Sequence, residues 1–237
     1  MEPKYKRVLL KLSGEAMAGE TKFGVDRAMV DKLCDSIKQI KDLGVEIAIV
    51  VGGGNFWRGR KALDMERATA DYMGMLATIM NSMALQDALE AKGIETRLQS
   101  AIHIKEVGEP FIVRKAKSDL NKGIVVIFGG GTGNPYFSTD TAAALRATEV
   151  GAEIILFGKT VDGVYDSDPD TNPNAKKFET ITYSEILNRN LKVIDSTAAS
   201  LCRDNNMPMA IFELSKEKDD NILKVLQGEN PGTIVKE

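Results

Sequence analysis

The chain has 237 residues, 43% of them hydrophobic and 27% charged, which is ordinary for a globular protein of one large or two small domains. A net charge of −3 with interspersed signs disfavours a nucleic-acid partner, because such partners usually meet a basic face. The single histidine, His103, disfavours a histidine-dependent catalytic triad and a zinc site. Cys34 and Cys202 lie far apart in the sequence, and we expect two buried, reduced thiols.

Membrane and export signals are absent from the sequence pattern. Residues 1–7 are polar and contain no apolar segment of the kind that signal peptides carry. No apolar run approaches the roughly 18 residues of a membrane span. We therefore expect a cytoplasmic protein with no membrane partner.

Short apolar runs alternate with amphipathic segments along the chain. The runs are typical of strands buried on both faces, and they cover residues 8–12, 45–51, 124–128, 154–157 and 209–212. Helical spacing or capping residues predict four helices. The first begins at Asp26, and the second covers Leu76 to Ala84 and ends at Gly93. The third begins at Thr182 with Glu185, and the fourth covers residues 196–206 before Pro208. Alternating strands and helices predict a mainly parallel sheet between helices, an α/β fold.

The methionines at positions 73, 75, 80 and 83 recur just before and within the second predicted helix. Methionine is a flexible apolar side chain that fills irregular gaps in a core. We expect these four residues to be core filler and not part of a cofactor site.

Four polar or glycine-rich turns follow apparent strands, where open α/β sheets bind their ligands. They are residues 11–14, residues 52–55 with Arg58 close behind, residues 129–135, and residues 159–165 with Asp168. Successive glycines let a backbone approach a ligand closely, and arginine and lysine suit phosphate oxygens. A helix predicted to begin near Thr139, with Thr139 or Asp140 as its cap, adds an anion-binding helix start.

These turns are typical of phosphoryl transfer, which needs positioning and neutralisation of charge more than covalent chemistry. Two competing motifs fail. Residues 158–160 look like the end of a Walker A loop, but Glu153 stands where that motif needs glycine. Neither glycine cluster has the spacing of the dinucleotide fingerprint.

Five segments resemble the bacterial UMP kinase family of the amino-acid kinase superfamily: residues 11–16, 52–55, 71–78, 132–140 and 161–165. The resemblance extends from Tyr5 to Val235. It implies a single domain, residues 1–237, with a three-layer αβα sandwich around a mainly parallel sheet. The N-terminal part would bind mainly UMP and phosphate, and the part from about residue 153 mainly ATP. It also implies a homohexamer in pyrimidine nucleotide biosynthesis that transfers the γ-phosphoryl group of ATP to UMP.

The resemblance also implies roles for particular residues. Catalytic roles fall to Lys11, Arg58 and Asp162, the last orienting a lysine instead of acting as a base. ATP would be bound by Lys11, Leu12, Ser13, Gly14, Gly54, Arg58, Lys159, Thr160, Tyr165 and Asp168. UMP would be bound by Gly53, Asp71, Thr132, Gly133, Asn134, Pro135, Tyr136, Phe137, Ser138 and Thr139. Mg²⁺ is expected as a cofactor on the ATP phosphates, with no protein ligand.

The resemblance implies two effectors, an activating GTP and an inhibiting UTP. The activator region would be Gly19, Glu20, Thr21, Lys22, Phe23 and Gly24, although these residues alone are also compatible with a simple polar turn. Lys159 and Asp140 each have two possible roles. Lys159 contacts either phosphate or adenine, because family members often carry their phosphate-directed lysine at the end of the preceding strand. Asp140 is either a helix cap or a functional residue.

Some of the aromatic and acidic residues in these segments also have two interpretations. Trp57 packs at an interface or contacts a ligand, Tyr165 stacks on adenine or lies in the core, and Asp71 binds ribose or is a solvated helix residue. Two rival functions are a kinase of a carboxylate or carbamate, and a non-catalytic sensor of UMP or UTP. Lys11 and Arg58 argue against the sensor, since binding alone needs no stabilisation of a transition state.

Overall fold

The computed structural model describes residues 2–58, 65–169, 171–214 and 220–237. Eleven strands occur in these ranges: β1 Arg7–Leu12, β2 Glu46–Val51, β3 Thr96–Ser100, β4 Glu109–Pro110, β5 Val125–Gly129, β6 Ile154–Lys159, β7 Val164–Tyr165, β8 Lys177–Phe178, β9 Thr180–Ile181, β10 Met209–Glu213 and β11 Thr233–Val235. Eight α-helices occur in the same ranges: α1 Gly14–Ala18, α2 Arg27–Asp42, α3 Arg67–Ala91, α4 Val113–Asn121, α5 Thr139–Val150, α6 Tyr183–Asn188, α7 Ser196–Asp204 and α8 Asn221–Leu226.

Nine strands form one sheet in the order β4-β3-β5-β2-β1-β6-β10-β11-β9. Every neighbouring pair in it is parallel except β10 with β11. The strands β7 and β8 form a separate antiparallel pair. The predicted mainly parallel sheet is confirmed, and strands from both sides of residue 153 belong to it.

Alternation along the central strands produces two apolar layers, since successive side chains point to opposite faces. Val8, Leu10 and Leu12 of β1 pack on one face with side chains of α2, α3 and α8. Leu9 packs on the other face with side chains of α4, α5, α6 and α7. Helices therefore cover both faces of the sheet, and the predicted three-layer α/β fold is confirmed.

The central strands agree with prediction, but the strands at the sheet edges were not predicted. β3 carries Thr96 and Gln99, which are polar in sequence and fully buried in the fold. The strands β4 and β9 have two residues each, and β11 has three, which is too short for an alternation pattern. The four predicted helices are present, although α7 ends at Asp204, two residues before the predicted end.

Two sequence predictions about α3 and α5 are wrong in part. The cap of α5 is Ser138, not Thr139 or Asp140: its hydroxyl accepts hydrogen bonds from the backbone N–H groups of Asp140 and Thr141 at 3.1 and 3.2 Å. Met75 is buried as expected for core filler, but Met80 and Met83 are 51% and 42% exposed. The prediction of core filler is therefore wrong for Met80 and Met83.

Two further sequence predictions concern the state of the two cysteine thiols and the absence of a membrane-spanning segment. Cys34 and Cys202 are both free and buried, as predicted. Burial raises the pKa of both thiols, to about 12 for Cys34 and about 11 for Cys202, so both are protonated near neutral pH. Among the described residues, no helix is long and apolar enough to cross a membrane.

Candidate active site

The carboxyl ends of β1, β2, β5 and β6 lie side by side because these neighbouring strands are parallel. Their ends lead into the polar turns singled out in the sequence. The Gly52 N–H donates to the Leu12 carbonyl at 2.8 Å, so the turns after β1 and β2 are joined directly. A single edge of the sheet therefore collects the predicted ligand-binding turns.

Strand alternation places two lysines on the same face of the sheet. Lys11 follows Leu9 by two residues and Lys159 follows Phe157 by two, so both point toward α5 and α7. The Lys11 ammonium lies 2.8 Å from the Asp140 carboxylate, and the side chains are only 7% and 16% exposed. The centroid of the Phe157 ring lies 4.6 Å from the Lys11 nitrogen and 4.8 Å from the Lys159 nitrogen, so the ring can make a cation–π contact with each.

Burial and charge act in opposite directions on this cluster. Burial opposes ionisation of Asp140, but the positive charges of Lys11 and Lys159 outweigh it and hold the pKa of the carboxyl below its ordinary value. Burial lowers the pKa of Lys159 below its ordinary 10.5, and the charge of Lys11 adds to that effect while Asp140 opposes it. Asp140 thus lies within the field of both lysines, and the charges of Asp195 and Glu15 also act to raise the pKa of Lys159.

The N-terminus of α5 is fixed by Asp195, the N-cap of α7. The Asp195 carboxylate accepts hydrogen bonds from the Ser138 hydroxyl and, at 3.2 Å, from the Thr141 hydroxyl. It also accepts the Ala198 N–H at 2.9 Å as the helix cap. Because Asp140 belongs to the first turn of α5, the contact of Asp195 with this turn also sets the position of Asp140, the partner of Lys11.

A cavity of about 190 Å³ lies beside the glycine turn after β2 and is called the glycine cavity. Uncharged groups dominate its wall, which includes Gly53, Gly54, Trp57, Asp71, Gly74, Thr78, Thr132, Asn134, Phe137 and Thr139. Gly53 approaches α3 so closely that an added Cβ would lie 2.8 Å from the Gly74 carbonyl oxygen and 2.9 Å from the Ala77 Cβ. Only glycine fits at position 53 without a shift of the turn or of α3.

Asp71 is the one carboxylate among the described residues that line the glycine cavity, and it is held on two sides. It accepts a hydrogen bond from the Arg67 guanidinium at 2.8 Å and another from the Tyr136 N–H at 2.7 Å. Tyr136 has a φ of 72°, which is uncommon for a residue other than glycine. The contact therefore joins α3 to the loop of residues 132–137. Asp71 is not a freely solvated helix residue.

Two larger cavities adjoin each other at Lys159. The lysine cavity, about 450 Å³, is lined by residues that include Ser138, Asp140, Lys159, Lys192, Asp195 and Ser196. The tyrosine cavity, about 560 Å³, is lined by residues that include Lys159, Thr160, Val161, Gly163, Tyr165 and Asp168. They share Lys159 and residues 190–193, and the Lys159 ammonium donates to the Val193 carbonyl.

The first turn of α5 separates the glycine cavity from the lysine cavity. Thr139 lines the glycine cavity, whereas its neighbours Ser138 and Asp140 line the lysine cavity. The turn offers backbone N–H groups and the positive end of a twelve-residue helix. Two anionic ligands, one in each cavity, would meet at this turn and near Lys11 and Lys159.

Arg58 and Ser13 are engaged locally. The Arg58 guanidinium pairs with Glu15 of α1, and both side chains are about half exposed, so the pair is easily exchanged for a ligand anion. Ser13 caps α1 by accepting the Ala16 N–H at 3.1 Å. An added Cβ on Gly14 would lie 2.5 Å from the Asn55 side-chain oxygen, so the turns after β1 and β2 pack closely.

Most of the predicted binding residues line one of these cavities. The glycine cavity contains six of the predicted UMP residues: Gly53, Asp71, Thr132, Asn134, Phe137 and Thr139. The tyrosine cavity contains four of the predicted ATP residues: Lys159, Thr160, Tyr165 and Asp168. Trp57 lines the glycine cavity and donates to the Ala70 carbonyl at 2.8 Å. Gly54, predicted for ATP, and Ser138, predicted for UMP, each line the cavity opposite to the expected one.

Other predicted residues lie apart from the three cavities. Asp162 does contact a lysine, but that lysine is Lys177 of β8, at 3.0 Å. Gly19 and Glu20 line a different cavity of about 450 Å³, with Glu15 and Thr160 among its other residues. The remaining predicted UMP residues, Gly133, Pro135 and Tyr136, belong to the loop before α5 without lining the glycine cavity. The effector role of residues 19–24 stays a prediction.

Three residues of the site were not among the predicted ones. Asp195 had a signal in the sequence, because it precedes the predicted helix of residues 196–206 as its cap. Glu15 belongs to the segment quoted for the resemblance, and its pairing with Arg58 is a tertiary contact without a local signal. Val193 contributes only a backbone carbonyl, which no residue type reveals.

The donor set of the site does not form a protein cage for a metal ion. Within the described ranges, no group of three or more His, Cys, Asp or Glu side chains lies close enough together to hold one. The carboxylate of Asp140 is already engaged by Lys11. These residues suit a metal that arrives on a ligand's phosphate oxygens and keeps its waters.

Comparison with known proteins shows the family to which this chain belongs. The model of the amino acid kinase family matches residues 6–213, and the chain belongs to that family. The crystal structure of UMP kinase from Bacillus anthracis is similar, with 38% identity, a TM-score of 0.93 and coverage of 98% of this chain and 96% of that one.

A second similar structure is UMP kinase from Ureaplasma parvum, at 42% identity and a TM-score of 0.91, with 99% of this chain and 100% of that chain covered. The resemblance to bacterial UMP kinases stated from the motifs is thereby confirmed. Uridylate kinase from Archaeoglobus fulgidus shares the fold at 24% identity and a TM-score of 0.72, over 96% of this chain and 99% of that one.

Proposed function

We propose that this protein is a UMP kinase that transfers the γ-phosphoryl group of ATP to UMP, giving UDP and ADP for pyrimidine nucleotide biosynthesis. The observation that carries the proposal is the first turn of α5, which separates a small uncharged cavity from a lysine-lined one. UMP would occupy the glycine cavity and ATP the lysine and tyrosine cavities. The kinship with two bacterial UMP kinases supports the choice of acceptor.

The chemistry asks little of the protein beyond position and charge. A phosphate oxygen of UMP attacks the γ-phosphorus, a new P–O bond forms, and the bond from that phosphorus to the β–γ bridging oxygen breaks, so that ADP leaves with the electron pair. No base is needed, because a phosphate monoester with a second pKa of about 6 is largely ionised at neutral pH.

Lys11 and Arg58 would neutralise charge on the moving group and on the bridging oxygen. Lys11 is fixed by Asp140 and is therefore aimed before any substrate binds. Arg58 would leave Glu15 for the phosphates, which costs little at a half-exposed pair. The N–H groups at the start of α5 would hold the phosphates between the two cavities.

Mg²⁺ is proposed as the cofactor that accompanies ATP, held by phosphate oxygens and water without a dedicated protein ligand. When bound, it supplies charge neutralisation on the phosphate oxygens. The chain's own Lys11 and Lys159 would orient the phosphates, and Asp140 would hold Lys11 in place for that task.

A coupled assay of ADP release with UMP, CMP, acetylglutamate and aspartate as acceptors tests the proposal. We expect turnover with UMP, because the glycine cavity presents neutral hydrogen-bonding groups and Asp71 to its ligand. Turnover of an amino-acid substrate with none of UMP would identify the protein as the rival carboxylate or carbamate kinase. Tight UMP binding without any turnover would identify it as the sensor.

We further propose that the protein is a cytoplasmic homohexamer that GTP activates and UTP inhibits. An apolar stripe on α3 supports self-association: Tyr72, Leu76, Met80 and Met83 recur at helical spacing and are 42–51% exposed in a single chain. Light scattering of Leu76→Glu, beside wild type, tests this part. Loss of the hexamer in the variant is expected, and a wild-type monomer would refute it.

A further inference from the structure

The Asp162 carboxylate bridges two side chains of the β7–β8 pair. One oxygen accepts a hydrogen bond from the Tyr165 hydroxyl at 2.7 Å, and the other receives the Lys177 ammonium at 3.0 Å. Tyr165 and Lys177 are also directly opposite each other in the antiparallel register. The Asp162 carboxylate therefore connects the turn before β7 to Tyr165 of β7 and to Lys177 of β8.

The backbone around Asp162 is anchored to the main sheet. The Val164 N–H donates to the Thr233 hydroxyl of β11 at 2.9 Å, and that hydroxyl donates to the Phe178 carbonyl at 2.5 Å. Gly163, next to Asp162, leaves no space for a side chain, since an added Cβ would lie 2.7 Å from the Thr233 hydroxyl oxygen. The β7–β8 pair is thus seated on β11, and Asp162 orients the side chains that it presents.

The side chain that this arrangement aims is the Tyr165 ring. Tyr165 is partly buried and lines the tyrosine cavity with Gly163, Thr160 and Asp168. Its hydroxyl is occupied by Asp162, so the ring is fixed at one end and cannot turn its polar tip to a ligand. An aromatic ring held in this way offers a flat apolar face with little entropy left to lose on stacking.

Charge supports the same arrangement. The hydrogen bond to Asp162 raises the pKa of the Tyr165 hydroxyl. Burial opposes ionisation of Asp162, but the hydrogen bonds from Tyr165 and Lys177 outweigh it and hold the pKa of the carboxyl below its ordinary value. The proton accordingly stays on Tyr165 and the negative charge on Asp162 throughout the neutral range.

We propose that Asp162 is a positioning residue for the base of the donor nucleotide, acting through Tyr165 and Lys177 and not on the transferring phosphoryl group. The inference rests on the proposed function, because it assigns the base of ATP to the tyrosine cavity. Lys11 and Asp140 form the charge cluster at the phosphates, and neither contacts Asp162. Asp162 therefore contributes to the affinity for ATP and leaves the chemical step unchanged.

Steady-state kinetics of Asp162→Ala, with both substrates varied, test the inference. We expect the KM for ATP to rise about five- to tenfold, with kcat and the KM for UMP within about twofold of wild type, since a released ring costs ordering entropy at the donor base alone. Asp162→Asn, which keeps an acceptor for the tyrosine hydroxyl, is expected to recover most of the loss. If the effect of the substitution were purely structural, the KM for ATP and the KM for UMP would change together.

Two further comparisons sharpen the test. Tyr165→Phe combined with Asp162→Ala is expected to match Asp162→Ala alone, because the carboxylate acts through that hydroxyl. Lys177→Met is expected to raise the KM for ATP about twofold, as a partly exposed ion pair contributes little. Its neighbour Lys176 is exposed, and Lys176→Met is the matched control with no expected change.

Three outcomes would overturn the inference: a hundredfold fall in kcat with the KM for ATP unchanged, parallel increases in both KM values, or no change in either KM. Failure of the proposed function is recognised separately, because wild-type protein would then not turn over UMP with ATP at all. Calorimetry with a non-hydrolysable ATP analogue in the absence of UMP reports on Asp162 even then. A dissociation constant unchanged by Asp162→Ala would refute the inference.

Discussion

The glycine cavity and the lysine cavity lie on either side of one helical turn but are built differently. The described wall of the glycine cavity consists of backbone turns and neutral side chains, together with the Asp71 carboxylate that Arg67 and the Tyr136 N–H already hold. The lysine cavity is lined by partly buried charged side chains, among them Lys159 and Asp140, and Asp140 is paired with the buried Lys11.

This difference separates recognition of the acceptor from stabilisation of charge. A neutral wall with close backbone contacts selects a ligand by shape and hydrogen bonding, and its contribution is to KM. Buried cations aimed at the phosphates act where charge is redistributed, and their contribution is to kcat. Substitutions on the two sides should therefore affect different kinetic constants.

Removal of the Lys11 ammonium is expected to have the largest effect. Lys11→Ala should lower kcat by at least about a hundredfold, the scale of one lost electrostatic stabiliser, while the affinity for UMP stays nearly intact. The measurement is steady-state turnover together with calorimetric titration of UMP. Lys38→Ala, at an exposed lysine paired with Asp42 on α2, is the control. Weakened UMP binding with normal turnover would contradict the assignment.

Gly53→Ala is expected to act on the other side. The new Cβ would lie 2.8 Å from the Gly74 carbonyl oxygen, so the turn or α3 must shift where they form the wall of the glycine cavity. We expect the KM for UMP to rise about tenfold and the KM for ATP to change by less than about twofold, the loss of a well-fitted contact being worth about 1.4 kcal/mol. An equal rise of both KM values would mean that the two cavities are not separate binding sites.

The smallest expected effect concerns pH. Lys159 has a pKa below its ordinary 10.5, and it loses its positive charge as the pH rises through that lowered value. The KM for ATP should therefore increase several-fold on the alkaline side at pH values below the ordinary lysine pKa of 10.5, while the KM for UMP stays level. In Lys159→Arg, whose guanidinium stays charged, the increase should disappear. Its persistence in that variant would assign the titration to another group.

The sequence was sufficient for the centre of the sheet and for the turns at its carboxyl edge. β1, β2, β5, β6 and β10 are apolar on both faces, so their runs are continuous, and glycine or lysine marks the ends of the first four. The edge strands were not predictable because burial of Thr96 and Gln99 depends on neighbours distant in the chain. Exposure of Met80 and Met83 also lies outside what periodicity can tell, since an apolar stripe looks alike whether it faces a core or another molecule.

Within the site, residues were predictable where one contiguous segment of the chain forms much of a cavity wall. The loop of residues 132–139 is one contiguous segment, and four of its residues line the glycine cavity. The charge cluster joins Lys11, Asp140, Lys159 and Asp195 from four separate elements. Their types were visible, but the pairing of Lys11 with Asp140 and the function of Asp195 are consequences of the parallel sheet and of the packing of α5 on α7.

The most direct test of the account is a crystal structure with UMP and a non-hydrolysable ATP analogue bound together. The account predicts the uracil and ribose of UMP in the glycine cavity beside Asp71 and the adenine in the tyrosine cavity beside Tyr165. The two phosphate groups should face each other at the first turn of α5 and at Lys11. UMP bound in the lysine or tyrosine cavity, or phosphates pointing away from Lys11, would contradict it.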